Sequence, residues 1–334
     1  MRIIHNDSLN PYFNLAAEEY LIDNEDGDVF MLWRNSPAVI IGRNQNAWAE
    51  VDTDFTRERG IAVVRRLTGG GAVFHDPGNV NFTFITDADS GEGINFSRFT
   101  APIISALEGL GIQSMPDGRN DIVSGGFKIS GNAQCVRRRP DGKNRLLHHG
   151  TLLYDADLAS LAGALRVNRA KLKSKGIRSV SSRVKNLREI GKLELDSAEF
   201  LEYLKSFAER EYGVAAEGIT EAEEQLIKTL AESKYSLWEW NFGESPEYEN
   251  SRCGRFPWGT AEIGYTLESG VITAVTVRGD FFGTQDVSVL EKALLGSRYK
   301  RDEAAEALAE INVGDVISGA SAEDVISLLF QADE

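Results

Sequence analysis

A run of three consecutive glycines, Gly69–Gly71, is the feature that most constrains how this chain can fold. It follows an apolar stretch at 61–64 that ends in Arg65 and Arg66, and a second apolar stretch at 72–74 follows it. Three glycines expose backbone N–H groups and let another molecule approach the main chain without interference from a Cβ atom. An adjacent arginine offers a charged fork for phosphate or carboxylate. The run therefore predicts either a plain turn between strands or a loop that binds an anionic ligand.

Two further segments follow the glycine run along the chain. Residues 128–134 read Lys-Ile-Ser-Gly-Asn-Ala-Gln, and residues 148–153 read His-His-Gly-Thr-Leu-Leu. In this order and spacing, the three segments resemble the lipoate–protein ligase A family. Shorter matches extend the resemblance over nearly the whole chain, and they lie at 32–35, 41–43, 118–121, 175–177, 182–184 and 238–243.

The resemblance implies a lipoate–protein ligase. Such an enzyme activates lipoate with ATP to lipoyl-AMP, releasing pyrophosphate, and transfers the lipoyl group to a lysine of an apo lipoyl domain. The implied acceptors are the E2 subunits of 2-oxoacid dehydrogenases and the H protein of glycine cleavage, in lipoate salvage. Because a carboxylate is a poor electrophile, this chemistry requires fixed cations and backbone donors rather than a nucleophilic side chain.

Bulk properties exclude several other classes. The 334 residues suffice for two domains, and no apolar run approaches the roughly 20 residues of a membrane span. A net charge of −15 disfavours general nucleic-acid binding. Two cysteines, Cys135 and Cys253, are too few for a disulfide framework or a thiolate zinc site. Because residues 1–7 lack the features of a secretory signal, the sequence predicts a cytoplasmic protein.

Hydrophobic periodicity predicts an α+β fold. Capping patterns predict helices that begin near Asn14, Ser97, Asp157, Asp196, Thr220 and Ser321. Period-two patterns predict strands at 29–33, 38–41, 61–66, 72–74, 80–84, 127–135, 146–154, 261–267 and 271–277. The pattern changes near Phe242. We expect, as the resemblance also implies, a large mixed α/β catalytic domain of the biotin/lipoate ligase type at 1–243, a linker at 244–250 and a small α+β accessory domain at 251–334.

Lys128 is the leading catalytic candidate. It lies close to Ser130 and Gly131, so that little side-chain bulk surrounds its ammonium group. A lysine on a strand is usually a solvated charge, and the argument for Lys128 rests on its motif. The resemblance implies that this lysine contacts both the lipoyl carbonyl and the adenylate phosphate, and thus binds both lipoate and ATP.

The resemblance also assigns the nucleotide site. It implies that Arg65 contacts the nucleotide, whereas Arg66 fits a structural pairing as well as a ligand contact. Asp121 is a candidate for placing the Mg²⁺ that accompanies ATP, because this ion prefers oxygen ligands, although a turn aspartate is the simpler interpretation. The implied nucleotide-binding loop consists of Gly70, Gly71, Ala72 and Val73.

The paired histidines His148 and His149 precede Gly150. Neighbours on a strand point to opposite faces, so at most one of them is expected to face the site. His149 is the candidate, either as a lipoate contact or as a group that aligns the incoming lysine. We interpret His75 as structural. Asn79 and Asn81 could hydrogen-bond a ligand, but asparagines that follow Pro77-Gly78 more often belong to a turn.

The aliphatic chain and dithiolane ring of lipoate require an apolar tunnel. The available residues, each of which also fits an ordinary core, are Trp33, Val39, Ile41, Phe74 and Phe82.

The segment 137–188 carries 14 Lys or Arg against three Asp, although the whole chain is acidic. A solvated surface is one interpretation, and attraction of an acidic lipoyl domain or of triphosphate is the other. Within it, 171–176 is expected to form a basic loop at the adenylate end.

Other functions remain to be compared. An octanoyl or lipoyl transferase of the same fold works without ATP through a cysteine thioester, but the segment 116–121, where that cysteine is expected, contains none. A biotin ligase carries a different glycine–arginine run, and a non-catalytic lipoate-binding domain does not require the lysine motif. The sequence leaves open the preference between lipoate and octanoate, the favoured acceptor and the oligomeric state.

Overall fold

The computed structural model describes residues 1–88, 95–118, 120–166, 183–243 and 248–331. A seven-stranded sheet forms the main body, in which one neighbouring pair is parallel (the first two strands along the chain) and every other pair is antiparallel. Numbered in chain order and given in spatial order, its strands are β1 (Arg2–Asn6), β2 (Val29–Arg34), β6 (Asn79–Asp87), β10 (Asn144–Leu153), β9 (Phe127–Arg138), β8 (Asp121–Ser124) and β7 (Met115–Asp117).

Two three-stranded sheets complete the strand set. The first has the order β4 (Ala62–Arg65), β3 (Ala38–Ile41) and β5 (Val73–His75), and the glycine run connects β4 to β5. The second is an antiparallel meander of β11 (Asn250–Phe256), β12 (Gly259–Glu268) and β13 (Val271–Gly279).

The helices are distributed over both parts of the chain. Eight precede the meander: α1 (Pro11–Asn24), α2 (Ala47–Glu50), α3 (Thr53–Glu58), α4 (Ser97–Glu108), α5 (Leu158–Ala164), α6 (Leu187–Gly191), α7 (Ser197–Tyr212) and α8 (Glu221–Leu230), counted within the described residues. Two π-helical turns follow α8, at Ala231–Tyr235 and Glu239–Gly243. Four further α-helices of the described residues follow the meander: α9 (Ser288–Leu294), α10 (Arg301–Leu308), α11 (Val313–Val316) and α12 (Ala322–Leu329). None of the helices in the described ranges could cross a membrane.

Local capping accounts for most helix starts. Asp196, Thr220 and Ser321 each form the predicted capping box with an acidic residue three positions later. The predicted start at Asn14 is wrong, because the side chain of Asn10 caps α1 and Pro11 occupies its first turn.

Four hydrophobic clusters organise the packing of the described residues, and one of them joins the β4-β3-β5 sheet to α5. One face of the large sheet packs against α4 and α7, and the opposite face packs against α1 and α8. A separate cluster joins the meander to the last four helices. The structure thus confirms the α+β class, with a large mixed α/β part followed by a smaller C-terminal domain. Of the predicted linker, residues 244–247 lie outside the described residues, as does the predicted basic loop at 171–176.

Candidate active site

A cavity of about 110 Å³ is bordered by residues of the large sheet and of the β4-β3-β5 sheet. The loop between β4 and β5 borders one side, and residues of β9 and β10 border another. The cavity brings together six of the residues that the sequence predicts, namely Gly70, Gly71, Ala72, Val73, Lys128 and His149.

Arg66 shapes the glycine loop from within. Its Nη2 donates to the carbonyls of Gly69 at 2.7 Å and Gly71 at 2.8 Å, and its Nη1 donates to the carbonyl of Ile40 at 3.1 Å. Burial lowers the pKa of Arg66 to about 10, so the guanidinium stays protonated at neutral pH. Because Arg66 also lines the cavity, it supplies a fixed positive charge directly behind the loop.

Gly70 requires the absence of a side chain. Its φ is +89°, a conformation that other residues rarely adopt, and an added Cβ would lie 2.8 Å from the ring of Phe282. Its N–H donates to the carbonyl of Phe281 at 3.1 Å. The C-terminal domain therefore packs directly on the loop.

The structure does not bring Arg65 to the cavity wall. Its side chain is buried and donates to the backbone carbonyls of five residues, Gly42, Arg43, Gln45, Trp240 and Asn241. These bonds tie the turn after β3 to the π-helical segment at 239–243. The arginine of the pair that lines the cavity is Arg66.

Lys128 lies at the edge where β8 and β9 pair. Its Nζ forms a 2.7 Å ion pair with Asp121 Oδ1, and each side chain is about one-third exposed. An added Cβ on Gly131 would lie 3.1 Å from Nζ, which explains why a residue without a side chain stands there. The backbone of Lys128 bonds to that of Arg183 and Lys185, so both edges of its strand are held. Asp121 thus neighbours the cavity lysine without lining the cavity itself.

His149 belongs to a buried polar network below the cavity. Its Nδ1 lies 2.9 Å from Glu18 Oε1, and its Nε2 lies 2.8 Å from the hydroxyl of Thr68. Glu18 also accepts from Thr83, whose hydroxyl accepts in turn from the indole N–H of Trp33. These bonds fix the orientations of His149 and Trp33. The neighbouring ring of His148 faces the other side of the sheet, where it stacks on Phe99, as the strand alternation predicts.

Most of the residues predicted to line the apolar tunnel do not line the cavity. Only Trp33 of the five lines the cavity, and the other four pack into cores elsewhere: Val39, Ile41, Phe74 and Phe82. Because alternate residues of β3 point to opposite faces, Ile40 faces the cavity and its two neighbours do not. The apolar lining consists of Leu15, Trp33, Ile40, Val73 and Ala133.

Sequence reasoning also missed His75 and Thr151 as polar residues of the wall, and it preferred a turn role for Asn81 over a ligand contact. His75, Asn81 and Thr151 line the cavity, and the first two are almost fully buried. The register pairs Asn81 with Thr151, two positions beyond His149 on the same face of β10. Strand alternation from His149 and Lys128 would have revealed Thr151 and Asn81, whereas nothing in the local sequence of His75 separates a site residue from a core residue.

The thiol of Cys135 lacks the low pKa and the access to the cavity that a nucleophile requires. Burial raises the pKa of its thiol to about 12, with the nearby carboxylate of Glu18 as a further cause. Cys135 does not line the cavity but borders a separate groove beside Arg137 and Arg138. A thioester mechanism needs a thiolate that faces the substrate, and Cys135 provides none.

In the described part of the basic segment, three cationic side chains form ion pairs with acidic residues of the N-terminal region. Arg137 binds Glu19 and Asp23 at 2.9 and 2.7 Å, and Arg139 and Lys143 both bind Asp26. The farther half of the segment, 167–182, lies outside the described residues. In the described half, these contacts favour a structural role over attraction of an acidic partner.

The donor set suits a magnesium ion that arrives with a nucleotide. No cluster of three or more His, Cys, Asp or Glu side chains that could hold a metal occurs in the described ranges. Mg²⁺ in nucleotide sites commonly uses one or two carboxylates, with phosphate and water as its other ligands. The single carboxylate of Asp121, about one-third exposed and next to Lys128, fits that pattern.

Comparison with protein families gives two matches. Residues 10–208 match the lipoyl protein ligase A/B catalytic domain, and residues 245–329 match the C-terminus of bacterial lipoate protein ligases. Two curated relatives are each 39% identical to the chain. They are the lipoate–protein ligase LplJ of Bacillus subtilis, covering 99% of this chain and 100% of its own length, and lipoate–protein ligase 1 of Staphylococcus aureus, covering 98% and 100%.

Solved structures agree with these matches. LipL1 of P. falciparum, in complex with lipoate, superposes with a TM-score of 0.81 at 25% identity over 99% of both chains. A lipoate–protein ligase A bound with ATP has a TM-score of 0.60 at 28% identity, covering 72% of this chain and 98% of its own. A bipartite ligase of Thermoplasma acidophilum, studied with its E2 lipoyl domain, has a TM-score of 0.61 at 28% identity, covering 75% and 98%.

Proposed function

Because this chain belongs to the lipoate–protein ligase family and is an enzyme of that kind, we propose that it joins lipoate to lipoyl domains through a lipoyl-AMP intermediate. ATP and lipoate are the small-molecule substrates, and the acceptors are apo lipoyl domains such as those of E2 subunits and of the glycine cleavage H protein. We further propose the cytoplasm as its location and 1–243, 244–250 and 251–334 as catalytic domain, linker and accessory domain.

One observation carries the proposal. A single cavity has a primary ammonium group, Lys128, and a glycine loop backed by a buried guanidinium on its wall, together with an apolar surface around Trp33. Acyl-adenylate chemistry needs a cation and main-chain donors at the phosphate, and an apolar pocket for the acyl chain. The cavity provides each of them.

In the first step, a lipoate carboxylate oxygen attacks the α-phosphorus of ATP and pyrophosphate leaves. Lys128 neutralises the two anions that must approach each other, and the backbone of Gly70–Val73 borders the phosphates. Mg²⁺ bound to ATP would be held by Asp121 and would neutralise phosphate charge. Since Asp121 also pairs with Lys128, the carboxylate orients the ammonium before substrates arrive.

In the second step, the deprotonated acceptor amine attacks the carbonyl carbon of the adenylate. A C–N bond forms, the bond between the carbonyl carbon and the phosphate oxygen breaks, AMP leaves, and one amine proton passes to solvent. Lys128 stabilises the charge that develops on the departing phosphate. His149, held by Glu18, contributes to the lipoate pocket.

We propose that Arg65 serves the nucleotide site by holding the backbone around it, in addition to the contact that the resemblance implies. Its guanidinium holds the carbonyl of Gly42. An added Cβ on Gly42 would lie 2.0 Å from the carbonyl oxygen of Gly70, so the turn after β3 directly supports the nucleotide loop.

The test mixes the purified protein with ATP, Mg²⁺, lipoate and an apo lipoyl domain, and weighs the acceptor by mass spectrometry. We expect the mass gain of one lipoyl group, dependent on ATP. Lys128→Ala should lose at least about 100-fold in rate. Lys228→Ala, which removes a lysine ion-paired with Glu224 on the surface, is the matched control. A wild-type protein that gives no mass gain would overturn the proposal.

The transferase alternative has a separate test. Cys135→Ala should retain the wild-type rate, and acyl transfer should stop when ATP is withheld. Transfer from an acylated carrier without ATP, abolished by Cys135→Ala, would instead establish the thioester mechanism.

A further inference from the structure

The imidazole of His75 forms part of the cavity wall and is 3% exposed. Within the described residues, its Nε2 atom has no hydrogen-bond partner, and the same is true of Nδ2 of Asn81, a residue that is 1% exposed. Buried polar atoms are nearly always paired, so two such atoms on one cavity indicate a ligand that pairs with them.

A chain of side-chain amides fixes the tautomer of His75. Nδ2 of Asn14 faces the backbone carbonyls of Ser8 and Arg34, each at 2.8 Å, which sets the orientation of that amide. The same Nδ2 lies 2.8 Å from Asn35 Oδ1. An amide nitrogen in that place would set two donors face to face, so the Nδ2 of Asn35 faces His75 Nδ1, at 3.0 Å. Because Nδ1 accepts, Nε2 carries the proton and is a donor.

The ring is also neutral. Burial lowers the pKa of His75 to about 3, with electrostatic interactions with His149 and Arg66 as smaller causes. At physiological pH the unpaired Nε2 is therefore an uncharged N–H donor whose direction is set by its neighbours.

Both donors line the same cavity as Lys128. Asn81 pairs in register with Thr151, whose hydroxyl accepts from the N–H of Gly131 at 3.2 Å. The ammonium of Lys128 packs against Gly131. His75 lies on the neighbouring sheet, with its ring 5.9 Å from the indole of Trp33. Asn81 thus lies toward Lys128 and His75 toward the apolar wall at Trp33. The carboxyl carbon of a fatty acid bound along that wall would lie between them.

We propose that the Nε2–H of His75, assisted by the amide of Asn81, binds the acyl oxygen of the carboxylic acid substrate and stabilises the negative charge that this oxygen acquires when the acceptor amine attacks. The proposal rests on the proposed function. During the attack, the carbonyl π electrons move to the oxygen, and they return as the bond to phosphate breaks and AMP leaves. A donor that is fixed and neutral stabilises this charge without a reorganisation cost.

The experiment separates the two steps. Pyrophosphate release measures activation, and a single turnover with preformed lipoyl-AMP measures transfer. His75→Ala should lower the transfer rate about 10²–10³-fold, the usual effect of one oxyanion donor, with the KM for ATP little changed. His75→Gln, whose amide N–H replaces the ring N–H, should recover at least about tenfold of that loss.

Asn35→Asp tests the tautomer itself. A carboxylate at position 35 accepts from Nδ1–H, so the proton should leave Nε2, and imidazole ¹⁵N shifts report the exchange. The transfer rate should then fall as in His75→Ala. Retention of the wild-type rate with the tautomer reversed would overturn the proposal.

The control is His148→Gln, which changes a buried histidine on the opposite face of the sheet. It should lower stability without slowing transfer in the folded protein. A wild-type enzyme that lacks ligase activity contradicts the proposed function, whereas an active wild type with an equally active His75→Ala variant contradicts this inference alone.

Discussion

Arg66 donates to three backbone carbonyls and, through Nε, to the hydroxyl of Thr68 at 2.9 Å. Its role is therefore to give the glycine loop one conformation while keeping a positive charge beside the cavity. A lysine has a single donor atom and cannot reach all four acceptors at once. Each buried carbonyl left without a donor costs free energy.

Arg66→Lys should therefore lower the free energy of unfolding by about 2–4 kcal/mol and raise the KM for ATP. Urea denaturation and steady-state kinetics measure the two effects. Arg57→Lys, in an exposed pair with Asp54, should change stability by less than about 0.5 kcal/mol. An unchanged KM for ATP in Arg66→Lys would remove Arg66 from the nucleotide site.

Asp121 is the residue through which metal dependence can be tested. Asp121→Asn removes the only carboxylate that pairs with Lys128 among the described residues, so the Mg²⁺ concentration for half-maximal rate should rise about tenfold or more. Titration of the rate with Mg²⁺ measures this, and chelation with EDTA should stop the wild-type reaction. An unchanged titration curve would mean that other groups place the ion.

At the residue scale, the sequence could identify a cavity residue where a specific motif surrounds it, but it could not show which face of a strand points to the cavity. Lys128 was predictable because its motif is specific and because Gly131 leaves space beside it. The tunnel was mispredicted because apolar residues fill both faces of β3, and composition does not say which face meets the cavity. His75 was interpreted as structural because the tautomer of its ring depends on a hydrogen bond with Asn35, 40 positions away in the sequence.

The loop between β4 and β5 is the element to which we assign nucleotide binding. Gly70→Ala places a Cβ at φ +89° and 2.8 Å from the Phe282 ring, so both the loop and its contact must shift. We expect at least a tenfold fall in kcat/KM for ATP, measured by pyrophosphate release. Gly218→Ala is the matched control, since nothing lies within 4 Å of its added Cβ.

Helix α8 supplies a pH-dependent contact to β1. The guanidinium of Arg2, bonded to Glu223 at 2.6 Å, lowers the pKa of that carboxyl from 4.5 to about 2. A depressed carboxyl pKa stabilises the fold fully above about pH 4.5, and this contribution is lost as the pH falls toward 2. Glu223→Gln should therefore lose about 1–2 kcal/mol at pH 7 and progressively less below pH 4.5, as measured by denaturant unfolding. A difference that stays constant with pH would exclude this mechanism.

Elements with local signals were predictable. The three capping boxes and the hairpin of β12 and β13 carry their information within a few residues. The short helices α2 and α3 and the strand β11 were missed. Helices of four and six residues span fewer than two turns, so no helical periodicity can repeat in them. Strand β11 alternates around Gly254 with few apolar side chains, so its pairing with β12 decides its conformation.

At the scale of the whole molecule, the C-terminal domain contacts the catalytic part near Asn44, Gly70 and Phe96. Gly279 N–H donates to the carbonyl of Asn44 at 2.9 Å, and Phe281 accepts from Gly70. The ring of Phe282 also contacts that of Phe96, with centroids 5.4 Å apart. The segment 279–282 thus covers the loop to which we assign the nucleotide.

Saturating ATP should therefore increase hydrogen exchange at the amide of Gly279, measured by mass spectrometry or NMR. The physical reason is that a phosphate bound to Gly70 removes the donor that Phe281 uses. Exchange at the capped start of α12, remote from the loop, should not change. Equal protection with and without ATP would show that nucleotide and segment bind the loop together.

If the phosphate of ATP binds the N–H of Gly70, as we propose, the hydrogen bond from Gly70 to Phe281 makes the accessory domain an internal competitor of ATP. The observed dissociation constant then equals the intrinsic value divided by the fraction of molecules in which the loop is uncovered. Weakening this one contact should tighten ATP binding without any change to the groups that touch the nucleotide. The affinity for ATP is then set partly by residues more than 200 positions away from Gly70 along the chain.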